Sequence, residues 1–425
     1  MSDEVPSRDS ALDLRASARW LWRPAARRSL LRLSADVVGR ALQLIILVAV
    51  ARRLDSATFG TIVVGSTTGL LVGQAADLGL QLTVAADTAR RLIRTSLSIG
   101  SALAVKVVLT LAAVPIFALL FVLLGADSAA AGAALVAAAF ALDSFVQFCA
   151  TTLRAANAFW HDWLVSVTPR LFAVFFVVPV ALSLPEPRMI GFAWLTASVI
   201  SAITAIVVLG SQLGIGAPQF AVAKDLLRRS WPIGASIVVG MAYTRMGLYM
   251  LEAFRSSQDV AIYGIAGRLT DPTYLIPAAG AAIFYPSYTR TLHERPNVAE
   301  KQLRRWILAI TGIALATYLL LAVFGEFVAR ILFGDTFAAS GLLLRVLALV
   351  IVPGFISYIL NQALIARGQA RYNLIVMATL LTLSVIGNLW AVPAFGIWGA
   401  AWVAVGIEIL LLAALLQPIL RRTQP

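Results

Sequence analysis

The chain has 425 residues, 60% of them hydrophobic and only 13% charged, about half the charged share of an ordinary soluble domain. A soluble fold cannot hide that much apolar surface, so the composition excludes a soluble enzyme and makes lipid the solvent. The formal charge of +13 is not read as a nucleic-acid footprint, because membrane proteins retain Lys and Arg in their cytoplasmic connectors.

Residues 1–33 are polar and basic, with no apolar core before Ser34 and no visible cleavable signal peptide. Arg15, Arg19, Arg23 and Arg27 recur at a four-residue interval, with Trp20 and Trp22 nearby. As a helix this stripe would lie on anionic lipid; the alternative is a disordered tail. Apolar runs then follow near 34–51, 60–79, 97–124, 129–153, 163–183, 190–210, 231–252, 260–287, 306–325, 340–365, 373–392 and 397–418. Each approaches the roughly 20 residues that a helical span needs. Pro115, Pro169, Pro272, Pro277 and Pro353 interrupt these runs, which is tolerated where neighbouring helices or a wet cavity satisfy the freed backbone. The expectation is an all-α integral membrane protein of about twelve spans. It comprises a basic cytoplasmic tail (1–33), an N-lobe (34–218, spans 1–6) and a C-lobe (219–425, spans 7–12).

With the N-terminus inside, 23 of the 34 Lys and Arg fall in cytoplasmic segments, 5 (Arg52, Arg53, Arg188, Arg255 and Arg330) outside, and 6 within spans. That bias supports twelve spans with both termini in the cytoplasm of a bacterial inner membrane. The outer connectors are all short, which argues against a membrane-embedded polymerase or ligase. Cys149 is the single cysteine, so no internal disulfide is possible, and His161 and His293 sit in polar connectors. Metal-site spacings are absent, as are a nucleophile–base constellation and a phosphate-cradling glycine loop, so neither a metal, a cofactor nor an enzymatic activity is assigned.

The chain repeats itself at about half its length. Asp55-x-x-x-Phe59-Gly60 follows the first span and Asp259-x-x-x-Tyr263-Gly264 the seventh, while Arg27-Arg28-Ser29 and Arg228-Arg229-Ser230 precede the same two spans. An even number of spans separates the copies, so the halves share one orientation. This predicts parallel repeats around an axis along the membrane normal, with a site between them.

Eleven ionisable residues fall within the spans: Asp36, Arg40, Asp77, Lys106, Asp143, Arg170, Arg245, Arg268, Asp271, Arg345 and Glu408. Each ionised group costs about 2.5–3.5 kcal/mol at a span centre, so they must pair or face a cavity. Asp36 and Arg40 are spaced to share a helix face, as are Arg268 and Asp271. Lys106 and Asp143, at similar depth on consecutive spans, are read as a structural interhelical ion pair. Arg345 is placed near a helix end, snorkelling outward, and Asp77 near a cytoplasmic end. Arg170 either snorkels inward or faces the interior. Arg245 and Arg268 flank one hairpin at one depth, and the repeat offset carries Arg40 to position 244. Three arginines at one level of an inter-lobe cavity suit bidentate capture of a diphosphate, the other reading being pairing with acids on other spans. Glu408, near the middle of the last span, is a candidate ion relay or the partner of an arginine; with Asp271 it is the candidate for ion coupling.

Several local sequences carry a resemblance. They are Arg53-Leu54-Asp55 through Phe59-Gly60, Tyr243-Thr244-Arg245, Tyr263 through Leu269, Phe284-Tyr285-Pro286, Leu344 through Leu349, Asn388, and Pro393-x-Phe395-Gly396-x-x-Gly399-Ala400-Ala401. In this order and spacing the chain resembles the polysaccharide flippases (O-antigen translocases) of the multidrug/oligosaccharidyl-lipid/polysaccharide exporter superfamily, over residues 30–418. The resemblance implies two six-helix lobes and alternating access. It also implies transport of an undecaprenyl-diphosphate-linked oligosaccharide for polysaccharide or lipopolysaccharide assembly, with membrane lipids, a polysaccharide polymerase and chain-length proteins as partners. The family often has an acid two positions after the seventh-span arginine, where this chain has Gly247. It also lacks two C-terminal spans typical of lipid II flippases. A membrane potential negative inside is worth about 2.3 kcal/mol per charge per 100 mV, favouring outward movement of a diphosphate by roughly 4–5 kcal/mol. Tyr243, Tyr249 and Tyr285 are placed to stack on sugars or simply to pack. The competing readings are a cation-coupled multidrug exporter, whose site should be acidic, and a non-transporting scaffold of a polysaccharide-assembly complex.

Overall fold

A computed structural model describes residues 24–89 and 95–420. Arg15, Arg19 and Arg23 of the basic stripe, Trp20, Trp22 and the connector arginines 90, 91 and 94 lie outside the described residues. The described elements are all helical. They run α1 (Pro24–Ala51), α2 (Ser56–Asp77), α3 (Leu80–Ala89), α4 (Thr95–Ala112), α5 (Val114–Leu123), α6 (Ser128–Ala155), α7 (Phe159–Ser183) and α8 (Pro187–Leu213). The second half continues with α9 (Phe220–Phe254), α10 (Ser257–Thr270), α11 (Leu275–Glu294), α12 (Pro296–Phe333), α13 (Ala338–Leu347), α14 (Ile351–Ala366) and α15 (Ala370–Leu420).

Among the described residues, nine stretches are long and apolar enough to span a membrane. One of them, Tyr372–Ile419, is two crossings, because α15 turns at Gly396, whose φ of 60° ends the helical path. The two remaining crossings are α9 and the α10–α11 pair. They carry Arg245, Arg268 and Asp271, and these inward-facing charges lower their hydropathy. The result is twelve crossings in two lobes, as expected, with finer breaks than the apolar runs show. The third crossing breaks at Ala113 ahead of Pro115. The eighth is interrupted by a 3₁₀ turn over Asp271–Tyr274, where Pro272 lacks the N–H that an α-helix requires. Pro353 sits in the first turn of α14 after another 3₁₀ turn, while Pro169 lies inside an unbroken α7. The first helix begins ten residues before the expected span, and the second stops at Leu78–Gly79, both at positive φ, so α3 is a separate short helix.

Small residues set how closely the helices pack. On α2, Gly65, Gly69 and Gly73 run along Ala133, Ala137 and Ala141 of α6, and a methyl group at Gly65 or Gly69 would overlap the carbonyl of the facing alanine. Lipid tails are as apolar as leucine, so such backbone approach, rather than a hydrophobic drive, holds helices together in a bilayer. The repeated motif has a structural counterpart at the lobe junction. Gly60 packs on the backbone of Ser257 and Ala261 in α10, and Gly264 packs on Val63 of α2. Each copy therefore supplies the glycine that lets the other lobe approach. The two aspartates of the motif differ. Asp55 caps α2 by accepting from the Thr58 backbone N–H at 2.9 Å, a bond that holds its carboxyl below the usual range. At the equivalent start of α10 the cap is Ser256, which accepts from the Asp259 N–H at 3.2 Å.

Candidate substrate cavity

The lobes enclose a cavity of about 640 Å³. Its wall comes mainly from α1, α6 and α7, with the end of α10 and Asp271–Pro272 closing the other side. One end of the bundle carries Arg154, Lys224, Arg228, Arg229 and Arg367 and is termed the basic face. The cavity mouth lies toward it.

The mouth is a network of paired charges. Asp162 accepts two bonds from Arg154, at 2.9 and 3.0 Å, and one from Ser166 at 3.2 Å. Arg32 pairs with Asp36 at 2.8 Å and reaches Asp162 at 4.0 Å. Well above the mouth, about 16 Å along α6 from Arg154, Arg170 stands 3.9 Å from Asp143.

Deeper, the three arginines expected at one level do converge, around Asp271. Arg245 donates to its carboxylate at 3.0 Å. Arg40 donates to its backbone carbonyl at 2.9 Å. Arg268 donates to Ser66 Oγ at 2.6 Å, across the lobe junction. Arg268 and Asp271 form the wall between the large cavity and a smaller one of about 80 Å³, which Arg245 lines. Among the described residues, neither Arg40 nor Arg268 has a carboxylate within ion-pair distance.

Three pairings expected from spacing are corrected. Lys106 is bound not to Asp143 but to Asp77, at 2.5 Å, with both side chains buried. Asp143 faces Arg170 instead. The reason is the break at Leu78–Gly79, which ends α2 and leaves Asp77 beside α4. Asp36 pairs with Arg32, one turn earlier on α1, rather than with Arg40. Asp271 pairs with Arg245 on α9 rather than with Arg268. Glu408 is buried in the C-lobe and accepts from the Tyr243 hydroxyl at 3.2 Å. It lines neither cavity, and among the described residues it pairs with no arginine. Arg345 is half exposed and pairs with Glu326 at 3.0 Å.

A scan for charges within spans overlooked three groups. Arg229 binds Asp87 through both terminal nitrogens at 3.1 Å, tying α9 to α3 across the lobes at the basic face. This bond raises the Arg229 guanidinium above its usual value. Asp162 lies outside the charge inventory because it starts a helix, where an acid is unremarkable. Gln43 and Gln147 line the large cavity and carry no charge to mark them.

No curated relative matches the chain. The family described as "Polysaccharide biosynthesis protein" matches residues 26–291. Among solved structures, the inward-facing conformation of a multidrug resistance MATE family transporter of the MOP superfamily superposes with a TM-score of 0.73. Its identity is 16%, over 93% of this chain and 100% of that one. The lipid II flippase MurJ in an inward closed conformation gives 0.70 at 13% identity, over 92% and 87%. A MOP superfamily transporter from Pyrococcus furiosus, described by the reverse polarity of its binding pocket, gives 0.59 at 16% identity, over 93% and 95%. At these identities the likeness is one of fold.

Proposed function

The chain belongs to the polysaccharide biosynthesis protein family, and from that premise we propose that it is a flippase for an undecaprenyl-diphosphate-linked oligosaccharide. It works by alternating access across the bacterial inner membrane, with both termini and the basic face in the cytoplasm. The observation that carries the proposal is the state of Arg40 and Arg268. Both face the cavity, and neither has a carboxylate partner. A charge held there without a counter-ion costs several kcal/mol, and a diphosphate supplies the missing charge through the bidentate geometry that guanidinium favours. Arg245 completes the level and is held ready by Asp271. In this scheme the mouth network selects anions, and the isoprenoid tail stays in lipid. Glu408 is the candidate for ion coupling. It grips Tyr243, two residues before Arg245 on α9, so a change in its charge is transmitted to the arginine level.

The polarity of the cavity favours this reading over a multidrug exporter. Its charged lining comprises five arginines, Arg32, Arg40, Arg154, Arg170 and Arg268, against Asp36 and Asp271, a poor host for a cationic drug. The test is a deletion strain analysed for lipid-linked intermediates. Undecaprenyl-diphosphate oligosaccharide should accumulate on the cytoplasmic face, and Arg40→Ala or Arg268→Ala should fail to clear it at normal protein level. Unchanged intermediates would refute the proposal, and full clearance by both variants would leave a scaffold.

A further inference from the structure

The seam between the lobes runs inward as a ladder. The helices α2 and α10 both start at the end opposite the basic face, and they meet at intervals of three or four residues. Gly60 rests on the backbone of Ser257 and Ala261, Gly264 on Val63, and Arg268 on Ser66. The first two rungs are van der Waals contacts. The third is the 2.6 Å hydrogen bond from Arg268 Nη2 to Ser66 Oγ. Arg268 lines both cavities, so this rung is where the seam reaches the substrate space.

A second bond beside it has the same form with the lobes exchanged. Arg40 of the N-lobe donates to the Asp271 carbonyl of the C-lobe at 2.9 Å, whereas Arg268 of the C-lobe donates to Ser66 of the N-lobe. Among the described residues, these are the only hydrogen bonds that either guanidinium makes. Each arginine that lacks a carboxylate is therefore held by a neutral acceptor of the opposite lobe. Ser66 itself is no ligand for an anion. It is buried, and its one proton goes to the Val63 carbonyl at 2.9 Å, so toward Arg268 it can only accept. A phosphate competes with Ser66 rather than binding to it. Nη2 belongs to both of the two-nitrogen forks with which a guanidinium grips a phosphate, and a bond to an ionised acceptor is roughly twice as strong as one to a neutral acceptor.

We infer that Ser66 is a positioning residue for Arg268, and that their bond is a latch on the lobe seam, released when the diphosphate takes the guanidinium. The inference rests on the flippase reading. In the empty protein Ser66 holds Arg268 across the seam, with the Arg40 bond beside it. Loading exchanges the neutral acceptors for phosphate oxygens, so the innermost rung is lost and the two glycine rungs remain. The empty carrier thus rests closed on the side away from the basic face, and opening there is tied to occupancy. The lipid binds the unlatched state more tightly than the latched one, so a weaker latch means a tighter site.

The experiment follows the thiol of an Ala261→Cys, Cys149→Ser parent, as the full chain in lipid nanodiscs. Ala261 is fully buried against Gly60 on the outermost rung. Alkylation rate and equilibrium binding are measured with undecaprenyl diphosphate and with undecaprenol, which has the tail but no phosphate. In the parent the diphosphate should speed alkylation about tenfold or more, the equivalent of one bond to a charged group, and undecaprenol should not. Ser66→Ala should raise the rate of the empty protein by a similar factor. It should also bind undecaprenyl diphosphate more tightly than the parent does, because no latch has to be broken. Arg268→Ala should match Ser66→Ala in the empty state yet bind the lipid more weakly. Ser66→Thr, whose hydroxyl can still bond the carbonyl three residues back, should behave as the parent. A serine that touched the substrate would instead lose affinity in Ser66→Ala, and one that only packs α2 would leave empty-state rate and affinity at the parent's values. Either result, or a parent whose alkylation ignores bound diphosphate, would overturn the latch alone. If Ser66→Ala does not accumulate, the parent's response to the two lipids and the empty-state rate of Arg268→Ala carry the same test. Equal binding of both lipids by the parent would instead overturn the flippase reading on which the latch stands.

Discussion

Breaking the Lys106–Asp77 pair should unfold the N-lobe unless both partners go together. Lys106 is fully buried and Asp77 nearly so, with 2.5 Å between Nζ and Oδ1. The rings of Phe145 and Phe148 stand 5.4 and 5.6 Å from the ammonium. Asp77 Oδ2 also accepts from the Gln81 N–H at 3.2 Å, fixing the start of α3. Lys106→Leu leaves a carboxylate in low dielectric, and Asp77→Leu leaves an ammonium; each should cost about 3–5 kcal/mol. Asp77→Leu should cost about 1 kcal/mol more, for the lost bond to Gln81.

The double leucine variant needs no desolvation of charge. It should be less damaged than either single, with a coupling energy of about 3 kcal/mol or more. Lys106→Leu with Asp143→Leu should recover nothing, since Asp143 faces Arg170. The measurement is thermal unfolding in detergent alongside protein level in the membrane, for each single and both doubles. Additive losses in the Lys106/Asp77 double would refute the pairing. Restored protein with no polysaccharide export would make the pair part of transport rather than of folding.

Further outcomes follow from the same contacts. In a Cys149→Ser background, cysteine at Ser128 or Ser256 should label from the periplasm and cysteine at Lys224 or Gly368 only from the cytoplasm; periplasmic labelling of either of the last two would break the twelve-span topology. Asp55→Ala should cost about 1 kcal/mol. Because the folded Asp55 carboxyl titrates below its usual value, that cost should be full above the ordinary aspartate range and vanish as pH falls through the folded value, read as convergence of the two melting curves in acid. Arg229→Ala should loosen the α3–α9 tie at the basic face, seen as faster alkylation of a cysteine placed at buried Thr88; unchanged reactivity would remove that bond from the lobe contact.

The twelve crossings were legible because lipid demands long apolar runs and the Lys/Arg bias fixes their alternation. Both α9 and α10–α11 read as apolar runs in the sequence, although they fall short of the length or hydropathy of the other spans. The convergence of Arg40, Arg245 and Arg268 was legible from depth and from the repeat, both properties of the helical rise. The partners of the charges were not. Spacing along the chain does not show which helices face one another: Asp77, at the end of α2, meets Lys106 on α4, and Asp271 meets Arg245 on α9. Gln43 and Gln147 escaped because a buried amide costs too little to mark itself in a sequence. Gly247 has a visible setting. A Cβ there would meet Tyr263 Oη at 3.2 Å and Asn388 Oδ1 at 3.4 Å, so two polar groups surround the position where the family often has an acid.

The lobe junction away from the basic face bears on how such a cavity opens. There Gly60 lies against the Ser257 carbonyl, Phe59 meets Phe337 edge-on at 5.8 Å, and Arg52 donates to the carbonyls of Ile331 and Leu332 at the end of α12. The Arg52 bonds are solvent-exposed and individually weak, so the close α2–α10 crossing is the contact that opening must undo. Gly60→Ala tests this. The added methyl would overlap the Ser257 backbone, which cannot move aside as a side chain would, so the crossing must part at that end. A cysteine at Ala261, fully buried beside Gly60, should then react with an impermeant thiol reagent from the periplasm at least about tenfold faster than in the Gly60 parent, a shift of about 1.4 kcal/mol in the opening equilibrium. Gly65→Ala is the control. Its overlap lies within the N-lobe, against Ala133, and should lower the amount of folded protein without exposing Ala261. Equal reactivity in Gly60→Ala and its parent, at equal protein level, would show that the glycine seam does not hold the lobes together on that side.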